Sequence, residues 1–188
     1  MGRALGLAAA LLVAGGAAVA HPRGAHKKVV LTVERTRVGV LLVLDLDEGE
    51  RAQLLRAGAD QDGDHVLRGA EVQGLRRRLA QVARSAFSLR VGGALLPLPE
   101  GETRLSLRQD PSVSQAGISV AVLVELPVPE GIRPGMELVV ADRAPDGSPV
   151  DVEFHLDGEE GTARRVATAT DGADARVRVG RLRAGLTR

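Results

Sequence analysis

The chain has 188 residues, 44% hydrophobic and 26% charged, a length and balance that fit one globular domain or a domain with a small appendage. It has no Cys, Trp or Tyr and only two Phe, Phe87 and Phe154. That excludes disulfides, thiolate metal sites, cysteine nucleophiles and cysteine-linked lipid anchors, and leaves the core to Val, Leu, Ala and Ile. The formal charge is +1 (25 − 24) and becomes zero (24 − 24) once Arg3 is removed, so the basic balance is no argument for nucleic acid.

Residues 1–20 read as a secretory signal peptide. Arg3 is the basic start, Leu5 to Ala20 is the apolar stretch, and Ala18-Val19-Ala20 is a small-x-small cleavage site. Cleavage there predicts a single exported domain over 21–188, periplasmic or secreted, opening at His21. After residue 20 no segment is long and apolar enough to span a bilayer, so no stable membrane span is expected after signal cleavage.

Residues 21–28 read as a polar lead-in. A β-hairpin is predicted over 29–47, with Val29, Leu31 and Val33 on one face and a turn at Glu34 to Arg37. Its second strand, Val38 to Leu44, is apolar on both faces, so both should be covered, the second by the segment that follows. That segment, 48–86, reads as a helix–loop–helix. In its second helix Val72, Leu75, Leu79 and Val82 form one apolar face, while Arg76, Arg77, Arg78 and Arg84 read as a solvated one. Residues 87–188 read as the remaining strands. Gly92-Gly93 makes a hairpin turn, Val120, Val122, Val124 and Leu126 point inward, and Pro145-Asp146-Gly147 is a turn. Val150, Val152, Phe154 and Leu156 point inward, and the last strand slips at Gly180. The expected fold is mainly β, an antiparallel Ig-like β-sandwich with an inserted helix–loop–helix.

Between the two helical segments lies "DQDGDHVLRGAE", Asp60 to Glu71. Asp60, Asp62 and Asp64 occupy loop positions 1, 3 and 5, Val66 position 7 and Glu71 position 12, with the apolar Leu67 at position 8. Hard oxygen ligands at this spacing suit one large divalent cation, and crowded carboxylates repel one another without one. The stretch resembles a single EF-hand-type calcium-binding loop. The resemblance implies calcium held by Asp60, Asp62, Asp64, the Val66 carbonyl and Glu71. Two departures stand out. His65 replaces the glycine of position 6, where φ is positive, at a cost of about 1 kcal/mol that implies a weaker site. No second loop of this kind is present, so its pairing partner must be the sandwich surface or another copy of the chain. Such a site is structural if constitutively occupied, and a sensor if near its midpoint.

Two other sets of residues bear on metals. A terminal amine and imidazole at His21, with His26 nearby, would suit a copper or nickel accessory protein. Asp151, Glu153, His155 and Asp157 line the outward face of one strand, a pattern typical of a solvated sheet. A weaker resemblance in layout is to the exported N-terminal region of bacterial hydrogenase/urease accessory membrane proteins, which are associated with nickel or cobalt; only the layout carries over. No nucleophile elbow, phosphate loop or zinc-protease motif occurs, and stacking aromatics are nearly absent, so neither an enzyme nor a nucleic-acid binder is expected. A protein partner or self-association is expected instead.

Overall fold

The computed structural model describes residues 25–108, 110–143, 150–158, 161–169 and 174–182. The signal peptide, His21 and the Pro145–Gly147 turn lie outside the described residues. Alternation in the first hairpin runs as the sequence implies, with Val29, Leu31 and Val33 buried on one face. The first strand, β1 (Ala25–Val33), begins earlier than the polar lead-in suggested. Period-two geometry therefore turns Lys27 inward, where it is 1% exposed and pairs with Asp142 at 2.8 Å.

In chain order the remaining elements are β2 (Arg37–Leu46), α1 (Glu50–Ala57), α2 (Gly69–Ser85), β3 (Phe87–Val91), β4 (Ala94–Leu96), β5 (Glu102–Ser106), β6 (Ile118–Pro127), β7 (Glu137–Asp142), β8 (Val150–Gly158), β9 (Gly161–Ala169) and β10 (Ala175–Arg178). Six strands form one sheet in the order β5-β6-β2-β1-β8-β9, and four form a second, β10-β7-β3-β4. Neighbours are antiparallel except β1 and β8, which pair in parallel from Lys27↔Val150 to Leu156↔Val33. The fold is thus mainly β, two mostly antiparallel sheets in a sandwich-like arrangement, with the helical pair inserted between β2 and β3. The Gly92-Gly93 turn has positive φ at both residues, 57° and 88°, as a two-residue hairpin turn requires.

The core lies on one face of the larger sheet. Val40 and Leu42 of β2, Val120 and Val122 of β6, and Val152 and Phe154 of β8 are at most 1% exposed. Burying such side chains stabilises by about 1.5–3 kcal/mol each, the main force holding the sheet to its cover. The expectation that β2 is covered on both faces needs correction. It alternates buried and half-buried residues. Leu41 lines an open hollow on the far face with Glu102, Arg104, Ala121 and Leu123, and among the described residues none from a helix lines it. Both helices join the buried face instead.

The apolar stripe of α2 also differs from the expected one. Leu75, Leu79 and Ala83 are buried, but Val82 is 47% exposed. Spacing of four residues carries the stripe through Ala83, and Val82 falls off its edge. Near the chain's end, Val179 and Leu182 are both buried, so strict alternation breaks across Gly180 as expected. No helix among the described residues is long and apolar enough to cross a membrane.

Candidate metal centre

The acidic loop links α1 to α2; Asp60 follows the end of α1 and Glu71 lies within α2. Glu71 sits in the first turn of α2, where the helix dipole favours a carboxylate. Its oxygens accept the backbone N–H of Gln61 at 2.6 Å and of Arg68 at 3.2 Å, so Glu71 fastens both ends of the loop and is only 8% exposed. Asp60 accepts the N–H of Gly63 at 2.9 Å and of His65 at 3.1 Å. Asp62 accepts that of Asp64, at 3.1 Å. These bonds wind the chain around a centre on which carboxylates converge.

One oxygen each from Asp60, Asp62 and Glu71 lie within 4.8 Å of one another. Two oxygens opposite one another on a calcium ion at about 2.3–2.6 Å would be about 4.6–5.2 Å apart, so the cluster is of a size that fits that ion. The donor set is all oxygen, which suits calcium or magnesium rather than copper or zinc. Asp64 is not in the cluster. Its carboxylate accepts the N–H of Val66 at 2.8 Å and pairs with Arg68 at 2.8 Å. That pair is exposed and contributes little, so moving Asp64 toward an ion has a small cost.

His65 has φ 62°, in the left-handed region. The strain is therefore carried by the fold before any ion binds. Gly63, with φ 74°, relieves the neighbouring turn without cost. His65 is not among the converging groups, but its Nδ1 lies 3.6 Å from an Asp60 oxygen.

The loop is backed from within the chain by the β5–β6 connection. Val66 forms an antiparallel bridge with Ser112. The Leu67 N–H donates to the Pro111 carbonyl at 2.8 Å, and the Val113 N–H donates to the His65 carbonyl at 2.9 Å. The Leu67 side chain is buried beside this junction, 2% exposed. Asp110 fixes the connection locally. It accepts the Ser112 and Ser114 hydroxyls, both at 2.5 Å, and these bonds hold its carboxyl down to about 2.

Arg56 holds the connection globally. Its side chain is fully buried at the end of α1, and its guanidinium donates to five backbone carbonyls. They are Leu107 at 2.9 Å, Ser112 at 3.0 Å, Gly117 at 3.2 Å, Ala116 at 3.3 Å and Asp110. Burial lowers the Arg56 pKa and the nearby Asp110 charge opposes that shift. At Gly117 an added Cβ would lie 2.8 Å from the Leu46 carbonyl, so the connection needs glycine where it crosses the end of β2. Neither Arg56 nor the 110–117 connection was foreseen as part of the site. The Asp-x-Ser-x-Ser run from Asp110 to Ser114 was the available signal of a self-bonded turn.

The other candidate residues lie apart. His26 is exposed on β1 and its ring is 3.5 Å from Asp47. On β8, Glu153 pairs with Lys28 at 2.7 Å, Arg164 at 3.0 Å and His155 at 3.3 Å, and its pKa falls to about 2 mainly through the Arg164 bond. This column reads as an ion-paired sheet surface. No family model matches the chain, and no curated protein matches it significantly.

Proposed function

We propose that this protein is an exported, non-enzymatic calcium-binding module, in which one ion ties a helical pair to a β-sandwich that presents a surface to a protein partner. The observation that carries the reading is the convergence of Asp60, Asp62 and Glu71 oxygens within 4.8 Å, inside a loop of EF-hand-type spacing. Asp64 and the Val66 carbonyl complete the proposed ligand set. Calcium would neutralise carboxylates that now rely on backbone N–H groups and the exposed Arg68. Because Val66 pairs with Ser112 and Arg56 frames that connection, the ion's effect would reach the end of the sheet. The work of the ion is structural, and extracellular modules of this kind bind at about 10⁻⁴ to 10⁻³ M.

Calorimetric titration with Ca²⁺ tests the reading. The wild-type protein should bind one ion per chain, and Asp60→Ala and Glu71→Gln should each weaken binding at least about tenfold. Absence of binding heat at millimolar Ca²⁺, with no change in melting temperature, would refute it.

A further inference from the structure

A groove of about 730 Å³ runs between α2 and the start of β5, lined by Arg76, Arg77, Arg78, Arg84, Glu100 and Glu102. Its acidic members are already engaged. Glu102 holds Arg104 at 2.9 Å, and Glu100 lies 3.9 Å from Arg84. Arg76, Arg77 and Arg78 have no ion-pair or hydrogen-bond partner among the described residues, so the groove carries uncompensated positive charge. A second, independent feature borders it. β5 is the outer strand of the six-stranded sheet, and its far edge makes no backbone hydrogen bond among the described residues. Thr103 and Leu105 of β5 pair with the inward-facing Val122 and Val120, so every second side chain of a strand added beside β5 would turn toward the α2 face.

We propose that this groove docks an extended acidic segment of a protein partner, added beside β5 as a further strand with its carboxylates against Arg76, Arg77 and Arg78. The free edge offers backbone groups that a peptide satisfies and an isolated phosphate does not. Period two along that strand turns every second side chain toward the arginines, whose planar forks suit carboxylates. Among the described residues the lining has no aromatic ring on which a nucleic-acid base would stack, and Ala80 is its one wholly apolar side chain, which gives a membrane no anchor. The site is separate from the acidic loop and does not depend on calcium.

Fluorescence anisotropy with a labelled ten-residue peptide of alternating Glu and Thr tests it, run with excess Ca²⁺ and with chelator. The wild-type protein should bind in both conditions, less tightly as salt rises. The combined variant Arg76→Gln, Arg77→Gln, Arg78→Gln should bind roughly tenfold more weakly at unchanged melting temperature, while Arg51→Gln on α1 should bind as wild type. The same peptide N-methylated at alternate backbone nitrogens should also lose roughly tenfold. Equal binding by the triple variant, or by the methylated peptide, overturns the proposal. So does failure to bind the peptide while a sulfated polysaccharide, an RNA oligonucleotide or anionic vesicles bind through the same arginines.

Discussion

Replacing Arg56 by Met keeps the length and apolar stem of the side chain and removes the guanidinium. Five carbonyls of the 107–117 segment then lose the guanidinium donor, although those of Leu107 and Ser112 keep a backbone N–H from Asp110 and Ser114. A hydrogen bond to a charged group contributes about 1.5–3 kcal/mol, but five bonds to one planar group act as a unit and do not sum. Removing one side of a buried charged network costs about 3–5 kcal/mol, the magnitude expected here. For a chain of this size that is a fall in melting temperature of about 6–20 °C. Urea unfolding and a thermal melt measure it, with Arg51→Met as control. Arg51 is exposed on the same helix, so its replacement should stay within about 0.5 kcal/mol of wild type. Arg56→Lys keeps the charge but offers only three donors and should fall between. If Arg56→Met lies within about 1 kcal/mol of Arg51→Met, well below the cost of opening a buried network, Arg56 does not frame the connection.

Three further outcomes are expected. At 10 mM Ca²⁺ and a dissociation constant of about 10⁻⁴–10⁻³ M, the folded state gains about 1.4–2.7 kcal/mol, a rise in melting temperature of about 3–10 °C that Glu71→Gln should abolish. His65→Gly removes left-handed strain already present without an ion, so it should stabilise the ion-free protein by up to about 1 kcal/mol and leave calcium affinity within about twofold, as titration at pH 8 would show. Asp110 is held at about 2 against an ordinary 3.8, so its contribution is full above pH 3.8 and disappears as pH falls through 2. Urea midpoints of Asp110→Asn should therefore lie below wild type at pH 6 and converge with it in acid; parallel profiles would contradict the assigned bonds.

The strands were legible because their periodicity is local. Val150, Val152, Phe154 and Leu156 alternate in sequence and are all buried. The parallel pairing of β1 with β8 was not, since it joins segments more than a hundred residues apart with no turn to announce it. Lys27 was misjudged for a related reason: its partner Asp142 lies on another sheet. On α1, Leu54 is 64% exposed and Arg56 fully buried, the reverse of what hydropathy implies. Only the five carbonyls of a distant segment explain it. In the acidic loop, ligand spacing located the cluster of Asp60, Asp62 and Glu71. It did not anticipate that Arg68 would hold Asp64 aside, because that competition is between side chains on the loop's outer face.

A crystal structure of the protein grown with 10 mM Ca²⁺ would reveal whether the acidic loop closes around calcium. It should show one ion coordinated at about 2.3–2.6 Å by Asp60, Asp62, the Val66 carbonyl and Glu71, with Asp64 released from Arg68 and joined to the ion. A loop that holds no ion, with Asp64 still paired to Arg68, would contradict it.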